Sequence, residues 1–164
     1  MPLIAPQPFG AEHDPSAFDC GVATLDDWLK RRARANQASG ASRTFVTCEG
    51  LAVRGYYALA AGAIAVDDTS GNFRRNMPDP IPVAILGRLA VDRRWQGKRI
   101  GGALFRDAAL RVMQAAEIIG VHGMLVHAIS DEARDFYIRL GLTPSPGEPM
   151  TLMVSMKDLA RALG

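Results

Sequence analysis

The residues best suited to chemistry lie in one run, Gln96-Gly97-Lys98-Arg99-Ile100-Gly101-Gly102, which leads straight into a stretch of helical periodicity. Its glycines let the backbone pass close to a ligand, and a helix opening behind them presents amides with no partner inside the helix. Those amides, the positive end of the helix dipole and the charges of Lys98 and Arg99 together suit an anion such as a pyrophosphate. The spacing fits neither the G-x-x-x-x-G-K-[ST] loop nor the G-x-G-x-x-G of dinucleotide folds. Taken alone, the run favours phosphate binding only mildly over a Gly-rich turn with solvated cations.

Tyr137 lies on a short stretch of helical periodicity. By itself, an aromatic packing its helix on a sheet is the commoner reading. No Ser-His-Asp or Cys-His arrangement is recognisable, so an acyl-enzyme is not expected. His13, His122 and His127 show no ligand spacing, and Cys20 and Cys48 are too few for a disulfide framework or a Cys-rich site. No metal is expected.

The elements that would position these residues follow from periodicity. Thr24, with Asp27 three residues on, has the form of a capping box opening a helix that runs to Gly40. Leu25, Trp28, Leu29 and Ala33 form its buried stripe, and Lys30, Arg31 and Arg34 cluster opposite. Thr44–Cys48 and Leu51–Val66 read as strands joined at Glu49-Gly50, and Asp67–Pro82 as a Pro-rich loop exposing Arg74 and Arg75. Val83–Val91 is apolar on both faces and reads as a central strand. The helix behind the glycine run carries Ile100, Leu104, Ala108, Val112 and Ala116 on one face and ends at Gly120. A strand over Val121–Ile129 follows. Next comes a helix over Asp131–Leu140, capped by Ser130 and stopped by Gly141. Two strand pieces around the Pro144–Pro149 turn and a helix over Met156–Leu163 complete the chain. Antiparallel strands first and strand–helix alternation later imply an α/β protein with a mixed sheet.

The 164 residues suit one domain, 1–164, and 48% hydrophobic against 22% charged residues allow a full core. Net charge is only +2, but Lys30–Arg99 holds 13 basic and 5 acidic residues, a local +8 that points to an anionic partner. The N-terminal segment has no basic stretch followed by an apolar run, and the weakly polar stretch Ala58–Val66 is too short to span a bilayer. A soluble cytoplasmic protein with no membrane partner is expected.

Gln96-Gly97-Lys98-Arg99-Ile100-Gly101 resembles the Q/R-x-x-G-x-G/A acetyl-CoA signature of GNAT N-acetyltransferases, with Arg99 where the first signature glycine usually stands. Ala133-Arg134-Asp135-Phe136-Tyr137-Ile138-Arg139-Leu140-Gly141-Leu142 resembles that family's A-x-x-F-Y-x-x-x-G-F segment, with Leu142 in place of the aromatic. Phe18-Asp19-Cys20-Gly21, Leu25-Asp26-Asp27-Trp28-Leu29, Gly40–Val46, Gly55-Tyr56-Tyr57 and Gly87–Asp92 resemble, in order, the GNAT toxins of bacterial toxin–antitoxin pairs. The resemblance implies the GNAT fold and acetyl-CoA as co-substrate, its pyrophosphate on Gln96–Gly102 and its pantetheine arm against the backbone of Leu89, Ala90 and Val91. It also implies Tyr137 as the acid beside the CoA sulfur. Further implications are an aminoacyl-tRNA acceptor, a ribbon-helix-helix antitoxin and a homodimer. Lys30, Arg31, Arg34, Arg74 and Arg75 are the candidates for RNA contact. A GNAT enzyme acting on a small amine or protein N-terminus, and a non-catalytic CoA- or RNA-binding module, remain the alternatives.

Overall fold

A computed structural model describes residues 2–163. Strands β1 (Gln7–Pro8), β2 (Arg43–Glu49), β3 (Ala52–Ile64), β4 (Ile81–Val91), β5 (Gly123–His127), β6 (Thr143–Pro144) and β7 (Thr151–Ser155) form a sheet in the order β1-β2-β3-β4-β5-β7-β6. Antiparallel pairing joins β1 to β2 and β2 to β3, β4 and β5 are parallel, and β5–β7 and β6–β7 are antiparallel again. The mixed sheet expected from the order of elements is therefore present. Helices are α1 (Ala23–Arg31), α2 (Ala33–Ser39), α3 (Gly71–Arg74), α4 (Ile100–Ala116), α5 (Asp131–Arg139) and α6 (Met156–Leu163).

The chain divides into two compact units, one reaching to Ala60 and including Gly87–Ala108, the other comprising Ala61–Leu86 and the residues from Ala109 on. In the first unit, α1 is fixed by aromatic packing. Tyr56 stacks on Trp28 with centroids 5.9 Å apart, meets Phe18 edge-on at 5.6 Å, and donates to the Leu25 carbonyl at 2.7 Å. Such ring pairs are worth about 0.5–1.5 kcal/mol each beyond the area they bury. Phe9, Leu29, Val46 and Val53 fill the same core.

In the second unit, Ile64, Phe73, Ile81, Val83, Leu125 and Met153 form the core. Gly123 is required there. A Cβ at this position would meet the Val154 carbonyl oxygen at 2.3 Å and the Phe73 ring at 2.7 Å.

Three expectations are corrected. The single helix from Thr24 to Gly40 is two, because the backbone at Arg32 turns to φ −119°, and Ala33 beyond the bend is fully buried. The amide of Arg32 still reaches the Trp28 carbonyl and that of Asn36 the Arg32 carbonyl, so the bend breaks neither bond and leaves the apolar spacing intact. The Thr24–Asp27 capping box does not form: α1 starts at Ala23 behind Val22, without a side-chain cap, and Asp26 instead accepts from the Cys20 amide at 2.9 Å. The segment Asp67–Pro82 is not all loop. It holds a turn of 3₁₀ helix over Val66–Asp68 and the short α3, drawn inward by buried Phe73.

Candidate active site

The glycine run sits where sequence periodicity places it, between the end of β4 and the start of α4, in the first unit. Its geometry begins at Asp92, whose side chain is fully buried. Asp92 accepts from the amides of Arg94 at 3.0 Å and Asp19 at 3.2 Å and from Arg94 Nε at 3.2 Å, with Arg54 Nη1 3.9 Å away. Burial alone would raise its pKa, but the hydrogen bonds from Arg94 and Asp19 and the Arg94 charge outweigh that and hold the carboxyl below its ordinary value. The ionised group fixes the 3₁₀ turn Arg93–Trp95. Gln96 then spans the loop, Nε2 donating to Val91 O at 2.8 Å and Cys20 O at 3.0 Å, so its amide positions the backbone.

Beyond Gln96 the chain alternates in hand: Gly97 has φ 78° and Arg99 φ 64°, whereas Lys98 between them is not left-handed. Alternation of this kind turns successive amides toward one side, the arrangement of an anion-binding nest. The Ala103 amide reaches back to Arg99 O at 3.2 Å, which makes Arg99 the first residue of the helical ladder. The amides of Ile100, Gly101 and Gly102 therefore lie in the turn that has no partner inside the helix. Gln96–Arg99 are exposed, and Lys98 Nζ rests 4.8 Å above the Trp95 ring. The arrangement fits a pyrophosphate. A left-handed φ costs a residue with a Cβ roughly 1–2 kcal/mol, the physical reason a glycine suits the place Arg99 takes. Helix α4 is tied down one turn further on, where the Tyr57 hydroxyl donates to the Asp107 carboxylate. Asp92 and Asp107 were not among the expected site residues. An Asp directly after a strand and before a turn is a capping signal that could have marked the first, while Asp107 looks like any solvent-face carboxylate.

Leu89, Ala90 and Val91 are the last three residues of β4. Parallel pairing with β5 ends at Leu86↔Val126, so β4 continues through Val91 without a β5 partner.

Tyr137 lies in the second unit on α5, which Ser130 caps by accepting the Ala133 amide at 3.1 Å and Gly141 ends at φ 102°. It is 7% exposed, its ring edge-on to Phe136 at 5.1 Å. Burial pushes the phenol pKa above its ordinary value, so this hydroxyl keeps its proton throughout the physiological range. The thiols are poor nucleophiles: burial, with Asp26 alongside, pushes Cys20 up to about 12, and burial pushes Cys48 up to about 11.

The expected basic residues fall in both units. Lys30, Arg31 and Arg34 belong to the first unit, Arg74 and Arg75 to the second. All five are exposed. Arg34 is committed to its own unit, lying 4.5 Å over the Phe9 ring and donating to His13 O at 2.7 Å. Arg88 lies 4.4 Å over Trp28. Among the described residues no group of three or more His, Cys, Asp or Glu could hold a metal ion, and no helix is long and apolar enough to cross a membrane.

No family model matches the chain. A curated tRNA-acetylating toxin of Mycobacterium tuberculosis is 51% identical over 159 residues, covering 97% of this chain and 95% of that protein. A probable toxin TacT of Sinorhizobium fredii is 28% identical over 163 residues, covering 93% and 90%. Of solved structures, AtaT complexed with acetyl-methionyl-tRNAfMet matches with a TM-score of 0.92 at 27% identity, covering 99% of this chain and 100% of that one. AtaTR bound with AcCoA matches with a TM-score of 0.84 at 30% identity, covering 99% and 98%.

Proposed function

The chain belongs to the family of tRNA-acetylating GNAT toxins, and from that membership we propose that it transfers acetyl from acetyl-CoA to the α-amine of an aminoacyl-tRNA and so blocks translation. The 51% identity over 97% of the chain carries the reading. The anion nest ahead of α4 supports it.

Acetyl-CoA supplies the thioester. The amides of Ile100, Gly101 and Gly102, with Lys98 and Arg99, take its pyrophosphate, and Gly97 permits the turn that aims them. Gln96 holds the loop to β4. The backbone of Leu89, Ala90 and Val91, beyond the end of β5 pairing, takes the pantetheine arm, and an amide there polarises the thioester carbonyl. An α-amine has a pKa of about 7.7–8.0, so its neutral form is available at cellular pH without a dedicated base. The amine nitrogen bonds to the acetyl carbon, the carbon–sulfur bond breaks, and the amine releases its proton to water. Tyr137 donates a proton toward the departing sulfur and regains it from solvent. Lys30, Arg31, Arg74 and Arg75 meet RNA phosphates, with Arg34 bracing the first of these faces.

The reading extends to neutralisation by an antitoxin of the ribbon-helix-helix type, to a homodimer, and to a cytoplasmic protein whose whole chain acts as one catalytic domain. Cell-free translation tests it. Added protein should stop synthesis only when acetyl-CoA is present, and acetyl-CoA removal should restore it. Arrest without acetyl-CoA, or none with it, overturns the proposal.

A further inference from the structure

The second unit contains a concavity of about 370 Å³ lined by Asn72, Arg75, Asn76, His122, Ser155, Lys157, Asp158 and Arg161. Arg75 follows α3, His122 precedes β5, and Lys157 and Arg161 are one turn apart on α6. Three permanent cations face one carboxylate. Arg161 pairs with Asp158 at 3.3 Å, whereas neither Arg75 nor Lys157 has an ion-pair partner among the described residues. Two positive charges are thus left unbalanced in a hollow.

The remaining groups are polar. His122 Nε2 is 2.6 Å from Phe73 O, which can only accept, so the ring carries a proton on that nitrogen and turns its other nitrogen elsewhere. None of the lining residues is apolar. Protein partners anchor through buried aromatic or aliphatic side chains, for which this hollow offers no seat. Nucleic-acid interfaces are polar, wet and strongly positive.

We propose that this concavity binds a backbone phosphate of the RNA body of the acceptor, through Arg75, Lys157 and Arg161, with Asn72 and Asn76 as neutral donors. The inference rests on the tRNA-acetylating reading and adds to it a docking site on α6, in a stretch of chain outside the basic segment Lys30–Arg99.

The test uses the full chain with Lys157→Glu and Arg161→Glu together, and Lys157→Gln separately in case the double variant melts early. The KM for the aminoacyl-tRNA that wild type acetylates should rise roughly tenfold or more with kcat retained. The slope of log affinity for deacylated tRNA against log salt should fall by about one per contact removed. The KM for an aminoacylated CCA fragment, which lacks the RNA body, should stay within about twofold of wild type. Unchanged KM and salt slope in variants that melt like wild type overturn the site while the tRNA-acetylating reading stands. Equal loss with the fragment, or loss of antitoxin binding with RNA affinity intact, also overturns it. If wild type acetylates no aminoacyl-tRNA at all, the underlying reading fails first.

Discussion

Replacing Tyr137 with Phe removes one oxygen from a ring that is otherwise almost wholly buried, so the ring's packing is kept while the hydroxyl proposed as proton donor is lost. Turnover of Tyr137→Phe should drop by about 10²–10⁴-fold while acetyl-CoA affinity, read by calorimetry, stays near wild type. Because burial raises the phenol pKa above the ordinary value of about 10, the protonated form persists, and wild-type kcat should show no loss from tyrosine ionisation up to about pH 10. A variant that turns over normally would reduce Tyr137 to a packing residue. Arg99 makes a different residue-scale demand, since it holds φ 64° with a Cβ. Arg99→Gly should raise stability to unfolding by about 1 kcal/mol, whereas Arg99→Ala, carrying the same Cβ, should not. Equal urea midpoints for the two variants would mean that the backbone there is not strained. Acetyl-CoA affinity should weaken in both, because both lose the charge.

At the scale of elements, the nest and helix α4 make opposite demands on a substituted Gly101. A glutamate in the first turn of a helix is favoured by the dipole, and leaving glycine in a helix gains up to about 1 kcal/mol. The same charge would repel the pyrophosphate proposed to bind there. Gly101→Glu should therefore melt at or above the wild-type temperature yet fail to bind acetyl-CoA; normal binding would make the loop a mere turn. The sequence exposes these elements unevenly. Strand β4, helix α4 and helix α5 with its Ser130 cap and Gly141 stop are legible because periodicity and capping chemistry agree. The bend at Arg32 is hidden, since Leu25, Trp28, Leu29 and Ala33 keep helical spacing across it. Helix α3 is hidden because four residues carry no period, and its cause, the packing of Phe73 against Leu125 and Met153, is long-range. The glycine run and Tyr137 could be read as motifs, but the braces Asp92, Gln96 and Asp107 depend on partners that only the fold brings near. Arg34 shows the converse, a cation that looks free in sequence and is bound to Phe9 and His13.

Over the whole molecule, charge is segregated: Lys30–Arg99 carries +8 in a chain of net +2. A field of this sign steers polyanions and gives their binding a steep dependence on salt. CoA phosphates and RNA both draw on it, so charge alone does not identify the acceptor. The product does. The direct measurement is mass spectrometry of aminoacyl-tRNA incubated with the protein and acetyl-CoA, read after the amino acid is released from the RNA. The amino acid should be recovered heavier by one acetyl group on its α-nitrogen, in amounts that fall strongly from low to moderate salt and vanish with Tyr137→Phe on the same timescale. Unmodified aminoacyl-tRNA alongside acetylation of a free amine or a protein N-terminus would contradict the account and leave only the acetyltransferase chemistry.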